Sequence, residues 1–176
     1  MQTVSLALRS AAYIYAEQAE YDKATPLLEV ILKLDSLDAR TLNELQHLLA
    51  QLYFQEADYK ATITSLKRWF SSSKQSDIGL QDHYLLAFSW YQLDNCHLAI
   101  ESAKSGISHL SSPAPELLKL MLNCYLQEKH YSHASTVLSQ LINIDPNNET
   151  YWAQWVYVLD NLKQTQQALA AMEIMA

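Results

Sequence analysis

Six histidines and two cysteines carry the richest intrinsic chemistry in this 176-residue chain. His130 and His133 flank Tyr131 and its neighbour Ser132 at a spacing that lets two imidazoles on one helix face share a metal ion. No Cys, Asp or Glu nearby completes a ligand set, so both are read as solvated surface residues. His47, His83, His97 and His109 are scattered, and a catalytic imidazole among them would lack an evident partner. Cys96 and Cys124 read as buried small hydrophobes rather than a redox pair, and they do not settle the compartment. The chain has no Gly-x-Ser-x-Gly turn, no His-Glu-x-x-His helix and no paired-Cys motif. The expectation is therefore a non-enzyme with no catalytic residue, no metal and no cofactor.

The elements that must position any site are helices. Only Gly79 and Gly106 are glycine, while Leu, Ala, Gln and Glu abound, a balance that favours an all-α class over sheets with tight turns. The same scarcity of glycine removes the loops that let backbone approach a phosphate closely. A net charge of −7 would repel a nucleic-acid backbone; the densest basic spot is Lys67 with Arg68. No apolar run approaches the ~18 to 20 residues of a membrane span. The best stretch, Leu27 to Leu34, is broken by Glu29 and Lys33. No membrane insertion is expected. Met1 through Ala12 lack a basic region followed by an apolar segment and a small-residue cleavage site, so no export signal is visible there.

The chain repeats itself. Tyr15 to Ala24 is echoed by Tyr53 to Thr62, and the same grammar returns at Trp90 to Ala99, Tyr125 to Ala134 and Leu159 to Ala168. The small residues closing these blocks, Ala24, Thr62, Ala99, Ala134 and Ala168, approach a constant period. Within a unit the apolar stripe recurs at three- and four-residue intervals, as in Leu42, Leu45, Leu48, Leu49, Leu52 and Tyr53. Each unit is thus a helical hairpin that must stack on its neighbours to cover its apolar faces. The periodicity predicts helices over 3–18, 21–34, 38–56, 59–72, 78–93, 96–109, 114–128, 131–143, 148–161 and 165–175. Loops are expected at Asp35 to Asp38, Ser71 to Ser76, Ser111 to Pro115 and Asp145 to Asn148. Pro26 sits inside the second helix, which either starts late or is bent.

This pattern resembles the tetratricopeptide repeat, in which an aromatic residue late in a first helix is followed, after a short turn, by a small residue early in a second. The fourth unit matches in order with Leu118, Met121, Tyr125, Tyr131, Ala134, Leu138, Leu141 and Asp145-Pro146. The resemblance implies a right-handed superhelical solenoid of about five hairpins in a single domain over 1–176, with units at about 5–38, 43–76, 80–113, 115–148 and 149–176. The small residue in the middle of the first helix is Ala12, Ala50 and Ala87, but Leu122 and Val156 in the last two units, where the hairpins should open slightly. Ala168 to Ala176 end in Met172, Ile174 and Met175 with no polar closing helix. The chain is therefore expected to be a segment of a longer repeat protein, or to associate, with itself included, through open ends.

In this family the first helices line the concave side. The resemblance places Arg9, Tyr13, His47, Gln51, Phe54, Tyr84, Phe88, Tyr91, Lys119, Asn123, Leu126 and Tyr157 on that groove as residues for a protein or peptide partner. Lys119 and Asn123 also resemble part of the family's carboxylate clamp, but Gln154 stands where the clamp has Asn, and no clamp is assigned.

Several stretches are similar to periplasmic tetratricopeptide proteins of Gram-negative TonB energy-transduction systems. They are Ala50 to Tyr53 running to Leu66 to Trp69, Tyr84 to Ala87 with Trp90 to Leu93, Tyr151-Trp152 with Gln154, and Ala168 to Glu173. That resemblance implies a periplasmic scaffold serving TonB, ExbB and ExbD. The alternative is a cytoplasmic chaperone for secretion substrates, complete at this length with closed ends.

Overall fold

The computed structural model describes residues 2–34, 37–110 and 113–175, so the expected loop residues Asp35, Ser36, Ser111 and Ser112 lie outside the described residues. Ten α-helices follow in chain order: α1 Gln2–Glu17, α2 Tyr21–Ile31, α3 Ala39–Gln55, α4 Tyr59–Ser72, α5 Leu80–Gln92, α6 Cys96–His109, α7 Pro115–Gln127, α8 Tyr131–Ile144, α9 Glu149–Asn161 and α10 Thr165–Met175. A short 3₁₀ turn, Gln75–Asp77, precedes α5 and has no counterpart in the sequence reading. The chain forms two compact units, Met1–Leu93 and Asp94–Ala176.

Local chemistry accounts for the helix starts. Asp38 caps α3 by accepting from the Thr41 N–H at 3.0 Å and from its hydroxyl at 2.8 Å. Asp58 caps α4 through the Ala61 N–H, and Asn95 caps α6 through the Leu98 N–H, each at 3.0 Å. Such bonds satisfy donors that the helix itself leaves free. Pro115 opens α7, where a missing N–H costs little. Pro26 proves to lie inside α2, which starts at Tyr21. The helix therefore forgoes one bond near its beginning, and it ends at Ile31, three residues before its expected end.

One turn recurs in every repeat. Ala19, Ala57, Asp94, Lys129 and Lys163 all adopt φ between 55° and 59°, each two residues before a second helix starts. Backbone bonds close the turn around them: Glu20 N–H to Tyr15 O at 2.9 Å, Asp58 to Tyr53 and His130 to Tyr125 at 2.8 Å, and Gln164 to Leu159 at 2.9 Å. This is the left-handed helix stop that glycine ordinarily serves. Here five non-glycine residues hold it.

In the first unit α1 packs on α2, α2 on α3, α3 on α4, and α5 on both α3 and α4. Ala12, Ala24, Leu28, Ile31, Leu45, Leu49 and Leu52 form one buried cluster, and Ala50, Ile63, Leu66, Trp69, Leu85 and Leu86 another. In the second unit α6 to α10 pack in succession. Leu117, Cys124, Leu138, Leu141, Val158 and Leu159 are enclosed there. All five repeat-marking residues, Ala24, Thr62, Ala99, Ala134 and Ala168, are buried. Leu122 is buried and Val156 half-buried. Large apolar side chains stay exposed at Leu6 and Ile14 of α1, Val30 of α2, Ile144 of α8, and Leu169 and Met172 of α10.

Candidate functional site

Each residue placed on the groove by the repeat resemblance lies on the first helix of its hairpin: Arg9 and Tyr13 on α1; His47, Gln51 and Phe54 on α3; Tyr84, Phe88 and Tyr91 on α5; Lys119, Asn123 and Leu126 on α7; Tyr157 on α9. Four of them meet in the first unit. The Phe54 ring lies 5.6 Å from Phe88, edge to face; Phe88 lies 5.6 Å from Tyr84 and 6.3 Å from Tyr91. Tyr59, the first residue of α4, completes the cluster at 6.0 Å from Phe54 and 6.2 Å from Phe88. All five rings are half-buried. Their edge-to-face and offset geometry is what aromatic quadrupoles favour.

Tyr59 was not legible as a site residue, yet a signal existed. Tyr59 and Tyr131 open the second helices of their repeats, and each packs on the first helix of the next hairpin: Tyr59 on Phe88, Tyr131 on Tyr157 at 6.1 Å. A hydrogen bond with the Tyr157 phenol raises the Tyr131 hydroxyl above its ordinary value. One repeated stacking contact thus appears in both units.

His47 has a carboxylate partner that the sequence did not reveal. Its Nε2 lies 2.6 Å from Oδ1 of Asp82 on α5, and its ring lies flat on Trp69 of α4, centroids 4.0 Å apart and planes 8° apart. Asp82 is buried, and its other oxygen accepts the Gly79 N–H at 2.9 Å. A carboxylate can only accept, so Nε2 carries the imidazole proton. The Gln51 amide nitrogen, 3.4 Å from that same Nε2, is then a packing neighbour rather than a donor. Beside the pair opens a polar cavity of about 650 Å³ lined by Arg40, Asn43, Glu44, Trp69, Ser72 and Lys74 among others. Arg9 is half-buried, and its Nε finds no acceptor among the described residues.

In the second unit the Lys119 ammonium sits 5.9 Å from the Tyr151 ring centre. Asn123 and Tyr157 are exposed, and Leu126 is half-buried. His130 is exposed, as expected of a surface histidine, and its Nδ1 lies 3.2 Å from the Glu128 carboxylate. His133 stacks on Tyr125 with centroids 5.0 Å apart. These rings line a pocket of about 460 Å³ with His97, Ile100, Glu101 and Lys104, so that α6, the end of α7 and the start of α8 contribute to it. Sequence reasoning assigned no role to that face. Among the described residues no group of three His, Cys, Asp or Glu side chains is placed to hold a metal ion. Nor is any helix long and apolar enough to cross a membrane.

No family model and no curated protein sequence matches the chain. Solved structures do. The crystal structure of MamA protein aligns with 99% of this chain and 91% of its own at TM-score 0.78 and 15% identity. The MamA RS-1 ArsTM double mutant aligns over 97% and 91% at TM-score 0.75 and 10% identity. YrrB, described as a TPR protein with an unusual peptide-binding site, aligns over 93% and 80% at TM-score 0.70 and 16% identity. At such identities the likeness establishes the fold alone, an all-α succession of helical hairpins similar to that of the TPR protein YrrB.

Proposed function

We propose that this chain is a non-enzymatic protein-interaction scaffold that takes an apolar peptide segment or helix of its partner against the aromatic face of α3 and α5. The observation that carries this reading is the ring cluster of Phe54, Tyr59, Tyr84, Phe88 and Tyr91, held together yet left half-open to solvent. Rings already packed on one another lose little rotamer freedom when a partner covers them, and large aromatic anchors dominate binding energy where they do. The likeness in fold to YrrB supports a peptide as the ligand. The same proposal puts the chain in the periplasm, serving TonB, ExbB or ExbD; the support for this is the set of sequence phrases in α3 to α5 and α9 to α10 given above.

The test is a pull-down from the source cell with wild type and the Phe54→Ala/Tyr91→Ala double variant as baits, with helicity of both checked by circular dichroism. Capture of one partner by wild type, weakened roughly tenfold or more in a helical double variant, is the expected result. Recovery of TonB, ExbB or ExbD supports the transport assignment. Equal recovery by a well-folded variant means that recognition uses another face. Tyr91→Ala alone keeps the test informative if the double variant unfolds, because Tyr91 touches only the rim of the cluster, through Phe88.

A further inference from the structure

The two cysteines come together in the second unit. Cys96 is the first residue of α6 and Cys124 lies in the third turn of α7, the helix packed directly against it. Both are buried, at 4% and 0% exposure, on facing helices, and each thiol is among the groups that act on the other. Cys96 Sγ also reaches the Gln127 side-chain oxygen at 3.9 Å. The chain has no other cysteine, so neither thiol has a competing partner within the molecule.

We propose that Cys96 and Cys124 are a disulfide site: when the chain meets a disulfide donor, they join covalently and staple the start of α6 to α7. Two buried thiols on helices packed directly against one another can be brought to the bonding distance of about 2.05 Å without taking the helices apart. The reaction balances through thiol–disulfide exchange. A Cys96 thiolate attacks a sulfur of the donor, oxidised glutathione or a disulfide oxidoreductase, and releases the first donor thiolate, which takes up a proton. The Cys124 thiolate then attacks Cys96 Sγ and releases the second. The two cysteines lose two protons and two electrons, and the donor is reduced to two thiols.

Burial raises both thiols above their ordinary value, which suppresses the thiolate while the helices are closed. Exchange is therefore gated by opening of the first turn of α6, which begins just beyond the turn at Asp94. The consequence falls on α7, because that helix carries Lys119, Asn123 and Leu126 of the expected groove. A staple at Cys124 would hold their helix in one register against α6.

The full chain is equilibrated with mixed oxidised and reduced glutathione, at a urea concentration just below its unfolding transition so that α6 opens transiently. It is then acid-quenched, unfolded, treated with maleimide and weighed intact. The expected product is a monomer two hydrogens lighter, with no maleimide and a Cys96–Cys124 peptide on mapping. It should melt roughly 5 °C or more above the reduced form, as closing a loop of this length implies. Two maleimides per chain, glutathione adducts, disulfide-linked dimers, or a lower melting temperature for the cross-linked form would each overturn the proposal. Cys96→Ser and Cys124→Ser variants must give no species two hydrogens lighter; its appearance in either would show that the mass loss arises elsewhere.

Discussion

The Nε2 atom of His47 on α3 stands 2.6 Å from Oδ1 of Asp82 on α5, while the His47 ring covers Trp69 on α4. One imidazole thereby ties three helices of the first unit together. Asp82→Ala removes the acceptor of both the His47 ring proton and the Gly79 N–H at a buried position. The cost of leaving such donors unpaired is about 1–3 kcal/mol each, less whatever water recovers. A urea titration should show the midpoint fall at unchanged slope. An unshifted midpoint would mean that the pair contributes nothing to the fold.

Lys129→Gly should stabilise the protein. Lys129 is exposed and holds φ at 57°, a conformation that costs a residue with Cβ roughly 1 kcal/mol and glycine almost nothing. Part of that gain is returned as unfolded-chain entropy, leaving about 0.5 kcal/mol. Thermal melts of wild type and variant decide it, and a lowered melting temperature contradicts the turn geometry.

Ala134→Arg should be severely destabilising, by about 3–5 kcal/mol, because Ala134 is wholly enclosed where α8 meets α7. A long charged side chain there brings overpacking and an unpaired charge at once. A melting temperature equal to wild type would show that the repeat register is misplaced.

Asp38 supplies a pH-dependent contribution. Its bonds from the Thr41 N–H and hydroxyl hold the carboxyl below its ordinary 3.8. A carboxylate depressed in the folded state contributes stability above its unfolded value, and loses it as pH falls through the folded one. Asp38→Asn keeps a capping oxygen without a charge. The stability difference between wild type and Asp38→Asn should be constant above pH 5 and shift against wild type on acidification below 3.8, read from urea midpoints across pH. A difference flat down to pH 2 would separate the cap from the charge.

The hairpins, the turns between them and the enclosed positions were determined by the sequence, because helical periodicity and the recurring small residue are local and repeat five times. Ala24, Ala99, Ala134 and Ala168 could be named as closest-approach points from the repeat alone, and all four are buried. That Phe54 would lie near Phe88 and Tyr91 was legible because all three fall on the groove face of successive first helices, and the Phe54 ring meets Phe88. The tertiary structure alone decided what crosses between helices at non-equivalent positions. Asp82 reaches His47, Tyr59 joins the ring cluster, and Cys96 and Cys124 are buried on facing helices. Such contacts depend on the rotation of each helix about its axis and the rotamer of each side chain. The one-dimensional repeat constrains neither, because both are set by how the enclosed side chains fill the space between hairpins.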